Sequence, residues 1–313
     1  MDIHINNSFS IIENKKTKAI AEEIMKIIFL VCAFFAVLAV FSITIYMILN
    51  GTPAIFKIGL KEILFETQWA PTAADPKYGI LYVILTSIVG TTFAVLIGVP
   101  IGVLTAVFIA EVAPKQLTAI VKPAVELLAG IPSVIYGLLG IMILNPFMYK
   151  IEKIIFKDSS THQFTGGSNL ISAIIVLAIM ILPTVINISE SSIRAVPREM
   201  RSASLALGAS KIQTIFKVVL PVARSGIMSA IVLGVGRAIG EAMAITLVSG
   251  SSVNLPLPFN SVRFLTTAIV AEMGYAADEH RQVLFTIGLI LFFFIMVVNT
   301  VFAKLLSTNE KEK

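Results

Sequence analysis

The chain has 313 residues, of which 57% are hydrophobic and only 14% are charged, and its formal net charge is +5. Soluble domains carry about 25% charged residues, so this composition excludes a soluble fold and indicates an integral membrane protein. The basic residues are scattered, which argues against a nucleic-acid partner. One cysteine excludes an internal disulfide framework, and the three histidines show no metal-ligand spacing.

Six segments contain the roughly 20 apolar residues that a membrane-spanning helix requires. In chain order they are 27–49, 79–110, 123–147, 170–188, 222–248 and 283–305. The sequence therefore predicts an all-α integral membrane protein with six transmembrane helices. We expect a transmembrane domain over residues 27–305, between an N-terminal tail of residues 1–26 and a C-terminal tail of residues 306–313.

The distribution of basic residues predicts the orientation of the spans, because Lys and Arg are enriched in cytoplasmic loops. If both termini are cytoplasmic, the inside segments hold 14 Lys and Arg in 81 positions, against 8 in 82 positions outside. The loops are too short for an enzymatic domain and carry no phosphate-binding loop of the ATPase type. We therefore expect a non-catalytic, multi-pass membrane subunit with both termini in the cytoplasm.

The loop between the fourth and fifth predicted spans, residues 197–221, has the strongest local pattern. Pro197 is suited to begin a helix and Gly208 to end one. Small residues at Ala203 and Ser204 would let this helix seat closely against a partner. The pattern predicts a short helix, a glycine turn and a second helix that enters the membrane at Leu220-Pro221; an ordinary interfacial helix is the alternative.

This loop resembles the "EAA" loop of ABC-importer permeases, in which a helical segment docks on an ATPase subunit. The matching positions are Ala203, Ser204, Gly208, Val218, Leu220 and Pro221, and Ala209 follows the glycine. Ser202 stands where the family has glutamate, which puts the usual charged contact with the ATPase in question. The resemblance implies the type I ABC-importer permease fold, with ATP and magnesium bound by a partner chain and no cofactor in this one.

The fifth predicted span carries two charged residues, Arg237 and Glu241, among glycines. Charged residues inside the bilayer are costly and rarely face lipid. In a continuous helix their spacing of four residues would place both side chains on one face. An arginine fork matches the oxygens of an oxyanion, so one hypothesis is that Arg237 contacts a passing anion and Glu241 orients it. The other is a structural ion pair.

Three further stretches resemble the PstC-type family of phosphate-importer permeases: Glu126–Gly137, Gly234–Ala244 and Leu265–Ala276. The resemblance implies phosphate as the solute and a bacterial or archaeal cytoplasmic membrane as the location. It implies a PstA-type permease as the second half of the pathway, two PstB-type ATPase subunits and a PstS-type phosphate-binding protein. On this interpretation Glu272 in the last external loop belongs to a solvated face or to a rim for the binding protein.

Two alternatives to phosphate import remain open from the residues alone. The solute of an ABC importer with these motifs could be another oxyanion or an organic compound. A secondary transporter could use the same charged pair with an ion gradient, although such proteins often show internal repeats, and none is visible in the sequence.

Overall fold

The structure is a computed structural model that describes the backbone of residues 3–310 and the side chains of residues 22–301 and of Lys304. Its helices are α1 (Ile3–Ile58), α2 (Leu60–Phe65), α3 (Leu81–Val107), α4 (Lys115–Gly130), α5 (Ser133–Leu139), α6 (Asn145–Ile155), α7 (Leu170–Arg194), α8 (Arg198–Ala206), α9 (Lys211–Thr214), α10 (Leu220–Gly240), α11 (Met243–Val248), α12 (Leu265–Glu272) and α13 (Asp278–Glu310). Turns of π-helix at Phe108–Val112, Gly140–Leu144 and Ile215–Val219 follow α3, α5 and α9. In the described residues the only strands, β1 (Trp69–Ala70) and β2 (Lys77–Tyr78), pair antiparallel.

Six helical segments among the described residues are long and apolar enough to cross a bilayer, which confirms the predicted all-α membrane fold. They are Glu22–Ile58, Leu81–Val112, Ser133–Ile155, Leu170–Arg194, Lys211–Gly240 and Asp278–Val301. The predicted tails stay predictions. Residues 1, 2 and 311–313 of those tails lie outside the described residues.

The chain divides into two compact units, Met1–Asn50 and Gly51–Lys313. In the first unit, residues 27–49 are apolar around the whole helix, as expected for a helix in lipid. The second unit contains the other five spans, both predicted functional regions and all the contacts described below.

Helix α7 is the centre of the second unit. It packs against α3, α4 and α10, and Leu177, Ile181 and Val185 on it are fully buried. Glycines let its neighbours approach closely: a Cβ atom on Gly98 of α3 would lie 2.6 Å from the Ile181 side chain, and one on Gly234 of α10 would lie 2.9 Å from that of Val185. Close approach through small residues stabilises helix pairs in membranes because dispersion contacts increase.

The third span differs from its prediction. The helix predicted over residues 123–147 is interrupted: α4 ends at Gly130, Ile131 and Pro132 have extended backbone angles, and α5 begins at Ser133. The physical reason is Pro132, since proline disfavours the helical conformation of the residue before it. The spanning segment therefore runs from Ser133 to Ile155, and α4 precedes it as a separate helix.

Candidate functional site

The fifth span is also broken, at the position of its charged residues. Helix α10 ends at Gly240, Glu241 has an extended backbone (φ −72°, ψ 129°), and α11 begins at Met243. The continuous helix predicted over residues 222–248 is therefore wrong. Glycines at 234, 236 and 240 weaken the helix at this point, because each lowers helix propensity by about 1 kcal/mol relative to alanine.

The break is stabilised by hydrogen bonds that involve Glu241. Its Oε1 atom accepts a bond of 2.9 Å from the backbone N–H of Ala244, in the first turn of α11. Its backbone carbonyl accepts a bond of 2.7 Å from the hydroxyl of Thr266 in α12. Glu241 thus caps α11 and anchors the interruption, and it does not share a helix face with Arg237.

The two broken spans lie against each other. A Cβ atom on Gly137 of α5 would be 2.9 Å from the Cα atom of Ala244 in α11, and one on Gly140 would be 2.4 Å from the side chain of Val248. The interruptions at residues 131–132 and 241–242 therefore border neighbouring short helices. Irregular backbone at membrane depth is tolerated where it lines a cavity or is buried in protein, and discontinuous helices form the solute sites of many transporters.

Arg237 lies in the last turn of α10 and is only partly buried. Its Nη1 atom donates a 3.0 Å hydrogen bond to the Thr184 hydroxyl on α7. No carboxylate of the described residues lies within the 4.0 Å that defines an ion pair with it. The expected ion pair between Arg237 and Glu241 is therefore absent among the described residues, and Thr184 orients the guanidinium instead. The guanidinium thus has no ion-pair partner among the described side chains.

The 197–221 loop has the helix–turn–helix form that the sequence predicts. Pro197 precedes α8, which ends in a left-handed turn at Gly208 (φ +85°). The N–H of Ala209 bonds to the carbonyl of Ser204 at 3.2 Å, and that of Gly208 bonds to Leu205 at 3.0 Å. These two bonds form a Schellman motif, for which glycine is the favoured residue because the conformation places a Cβ atom unfavourably.

The second half of the loop is closed by side-chain bonds. Ser210 and Gln213 form a capping box at the start of α9, which satisfies two otherwise free N–H groups. The hydroxyls of Ser204 and Thr214 lie 2.9 Å apart and join the two halves. Leu220 and Pro221 begin α10 and lie outside this turn, so the structure brings together only part of the predicted docking set.

The outer surface of the loop is strongly exposed and partly apolar. Helix α8 buries none of its residues. Ala203, Gly208 and Ser202, which replaces the glutamate of the family pattern, are exposed. The exposed fraction of Leu207 is 90% and that of Ile212 is 69%. An exposed apolar patch on a membrane-protein loop marks a protein contact, and the leucine lies within the unspecified positions of the family pattern, where sequence reasoning missed it.

Arg201 attaches α8 to the spans, and this contact was not predicted. Its Nη2 atom lies 2.8 Å from Oε1 of Glu111, beyond α3, and donates at 2.8 Å to the carbonyl of Ile193 in α7. Its Nη1 atom donates to the carbonyl of Val196. Arg201 and Glu111 are 90 residues apart in sequence, so no local sequence pattern predicts the pair.

A second ion cluster lies at the same end of the spans, which we call the loop end. Glu190 of α7 is buried, with a side-chain exposure of 3%, and its carboxylate pairs with Lys122 of α4 at 3.2 Å and with Arg194. Arg194 also donates to the carbonyl of Ile109 at 3.3 Å. Two cations thus share one carboxylate beside the 197–221 loop.

The opposite end of the spans contains a buried polar cluster centred on Glu272. This carboxylate accepts from the Trp69 indole N–H at 3.1 Å, lies 2.8 Å from Nε2 of His280, and pairs with Arg263. Its side-chain exposure is 5%. The interpretation of Glu272 as part of a solvated face is therefore wrong: it joins the 69–78 hairpin to α12 and α13.

Comparison with known proteins identifies the family. The model for "Binding-protein-dependent transport system inner membrane component" matches residues 98–309. The chain belongs to this family. It is 37% identical over 297 residues to the "Probable ABC transporter permease protein YqgH" of Bacillus subtilis, covering 92% of this chain and 93% of that protein. It is 33% identical over 303 residues to the "Phosphate transport system permease protein PstC" of Xylella fastidiosa, covering 93% of each.

The fold has a counterpart among solved structures. A chain of the MetNI methionine ABC transporter, in inward-facing conformations, matches with a TM-score of 0.50 at 20% identity, over 74% of this chain and 94% of that chain. The likeness confirms the predicted ABC-importer permease fold. The protein is accordingly a multi-pass membrane component of a binding-protein-dependent transport system.

Proposed function

We propose that this chain is one of two permease subunits of an ATP-driven importer of inorganic phosphate. The observation that carries the proposal is Arg237, a cation without a carboxylate partner among the described residues, at the end of a broken span. The names of relatives that match over 74–93% of the chain supply the solute: they include phosphate transport permeases from several bacteria.

Arg237 contacts the passing anion in this mechanism. A guanidinium in a low-dielectric setting attracts an oxyanion strongly, and its planar fork matches two phosphate oxygens. Because Thr184 accepts only one of its five N–H donors, the others remain for solute or water. Glu241 has one carboxylate oxygen committed to Ala244, and its other oxygen accepts a hydrogen bond from the protonated oxygen of hydrogen phosphate, which disfavours fully ionised sulfate.

The rest of the assembly is proposed from the family. A PstA-type permease completes the pathway, and a PstS-type protein delivers phosphate at the end that carries Glu272. Two PstB-type subunits bind ATP and magnesium, and one of them docks on the 197–221 loop through Ala203, Ser204, Gly208 and Ala209. This chain catalyses no reaction itself. Both termini and the 197–221 loop face the cytoplasm of a bacterial or archaeal cell.

The docking mode follows from the departure at residue 202. Ser202 is exposed and uncharged, so the ATPase contact relies on the apolar side chains of Leu207 and Ile212, whose exposed fractions are 90% and 69%. ATP-driven closure of the ATPase pair pushes on α8, and the alternating access of the pathway follows from the movement of the attached spans.

The test is phosphate uptake by the complete complex in proteoliposomes with Arg237→Gln. We expect at least a tenfold loss of uptake, since hydrogen bonds to charged groups contribute about 1.5–3 kcal/mol each, while the subunits still copurify. Arg281→Gln removes an exposed external arginine and serves as the matched control. Normal uptake by Arg237→Gln in an intact complex refutes the pathway role, and equal uptake of sulfate by the parent complex refutes phosphate as the specific solute.

A further inference from the structure

Helix α7 carries a line of polar residues that the proposed mechanism has not used. Thr184, Asn187 and Ser191 are spaced three and four residues apart, which places them on one face of the helix. The first two are partly exposed and the third is exposed in this chain. We call these three residues the polar strip.

The polar strip faces a side of α7 that its neighbours leave open. The glycines of α3 and α10 rest on Ile181 and Val185, and α4 packs on Ile186 and pairs with Glu190. At 100° per residue, Asn187 and Ser191 project between the directions of α4 and α10. The strip therefore lines a groove between α4, which precedes the break at residues 131–132, and α10, which precedes the break at residues 241–242.

The side chains of the strip have unused hydrogen-bonding capacity. Thr184 accepts a bond from Arg237, but no bond donated by its hydroxyl is present in the described residues. Hydroxyls elsewhere in the spans donate to the carbonyl four residues earlier, as Ser87 and Thr105 do. Asn187 and Ser191 likewise make no side-chain bond within the described part. Polar groups left unpaired in an apolar medium are costly, so water or a ligand must meet them.

The strip connects two positively charged places. It begins at Arg237, which is bonded to Thr184. It ends one turn before Arg194, which with Lys115 and Lys122 lines a cavity of roughly 570 Å³ at the loop end. Arg194 and Lys122 share the single carboxylate of Glu190, and Lys115 has no ion pair among the described residues, so this end carries an excess of positive charge. Glu126 is the one carboxylate that lines the cavity.

We propose that the polar strip is the exit half of the anion path, along which hydrogen phosphate passes from Arg237 to the basic cavity at the loop end. The inference rests on the proposed function of Arg237 and adds the residues that act after it. Hydroxyl and amide groups both donate and accept hydrogen bonds, so they suit an anion that has protonated and unprotonated oxygens. Cations at both ends keep the anion's electrostatic energy low along the route.

The first test replaces Asn187 with leucine, which has nearly the same volume and no hydrogen-bonding group. In proteoliposomes containing the complete complex, we expect the maximal uptake rate to fall about tenfold, because the variant loses one hydrogen bond to the charged anion. The concentration of loaded binding protein that gives half-maximal uptake stays unchanged, because the anion meets Asn187 only after Arg237. Asn187→Ser, which keeps a donor, recovers most of the rate. Thr105→Val on α3 is the control and transports normally.

The outcomes separate this inference from the proposed function. If Asn187→Leu transports like the parent while Arg237→Gln does not, the strip is refuted and the phosphate pathway stands. If both variants transport like the parent, the pathway itself is refuted. If Thr105→Val is as defective as Asn187→Leu, the loss reflects a general loss of polar groups and the strip is again refuted.

A labelling experiment keeps the inference testable if Asn187→Leu fails to assemble. Cys32 is the only cysteine of the chain, so Asn187→Cys in a Cys32→Ser background provides one reporter thiol. We expect a negatively charged thiosulfonate to modify it in inside-out vesicles, as measured by the mass of this chain, and inorganic phosphate to slow the reaction. Thr105→Cys should stay unmodified. Failure of the reagent to reach residue 187 in both resting and vanadate-trapped complexes overturns the proposal.

Discussion

Removal of the Arg201 side chain tests whether the 197–221 loop is attached firmly enough to transmit force. Arg201→Gln eliminates the ion pair with Glu111 and the bonds to the carbonyls of Ile193 and Val196. The exposed fractions of the paired side chains are 20% and 12%, so the pair is neither fully solvated nor fully buried. Breaking a buried pair costs about 3–5 kcal/mol, and partial exposure reduces this to about 3 kcal/mol.

Glu111→Gln is expected to cost much less than Arg201→Gln. The amide oxygen of glutamine still accepts a bond from Arg201, and the two backbone carbonyls keep theirs, so the loss is about 1 kcal/mol. The predicted difference between the two variants, about 2 kcal/mol, corresponds to roughly a thirtyfold difference in the opening equilibrium of the loop. The asymmetry arises because Arg201 also bonds to backbone carbonyls, whereas Glu111 has Arg201 as its one side-chain partner among the described residues.

Hydrogen exchange of the loop amides measures this equilibrium in the purified complex. The N–H groups of Leu207 and Ala209, bonded within the turn, should exchange much faster in Arg201→Gln than in Glu111→Gln. Arg198→Gln is the matched control, since Arg198 is exposed and makes no bond among the described residues. We also expect ATP hydrolysis to continue in Arg201→Gln with less phosphate moved per ATP. Equal exchange in Arg198→Gln and Arg201→Gln would refute the attachment.

Two further predictions concern the turn and the buried cluster at the opposite end. Gly208→Val places a β-branched residue at φ +85° and should destabilise the turn by at least about 1 kcal/mol. Stimulation of the ATPase by the binding protein should therefore fall in Gly208→Val and stay intact in the control Ala206→Val. Equal stimulation in the two variants would contradict a docking turn at Gly208. Glu272→Ala leaves the charge of Arg263 buried without its partner, so the free energy of unfolding should fall by about 3–5 kcal/mol. The thermal unfolding temperature of the complex should fall with it. Glu279→Ala, at a half-buried carboxylate that has no ion pair among the described residues, should change that temperature far less, and a similar shift for both would contradict the buried cluster.

The sequence predicted the features that depend on local chemistry. Span count follows from apolar length, and the turn at Gly208 follows from a proline at one end of a short helix and a glycine at the other. The interruptions at Pro132 and Glu241 were missed as helix ends because both lie in continuous apolar stretches. Hydropathy measures whether a segment enters the bilayer and is insensitive to how its backbone runs there.

Features that depend on distant partners were beyond the sequence. Arg237 was identified as the unusual charge, but the spacing to Glu241 suggested the wrong holder, because the helix ends between them and Thr184 is 53 residues away. Glu272 was placed on a solvated face, although Trp69, 203 residues earlier, and Arg263 bury it. In each case a charged residue was assigned a partner nearby in the sequence, or no partner, although its actual partner is distant in the sequence and is brought close by the fold.

The contacts divide the second unit into a part that should move together and two places where it can bend. Arg201 attaches α8 to α7 and to the end of α3, and Arg237 attaches α10 to α7. A force on α8 is therefore carried into a packed set of α3, α7 and α10, in which close glycine contacts resist sliding. Residues 131–132 and 241–242, at which the two spans are interrupted, are the natural hinges. Because Arg237 lies in this packed set, one turn before the second hinge, bending there moves Glu241 and α11 relative to the guanidinium and can open or close the space beside it.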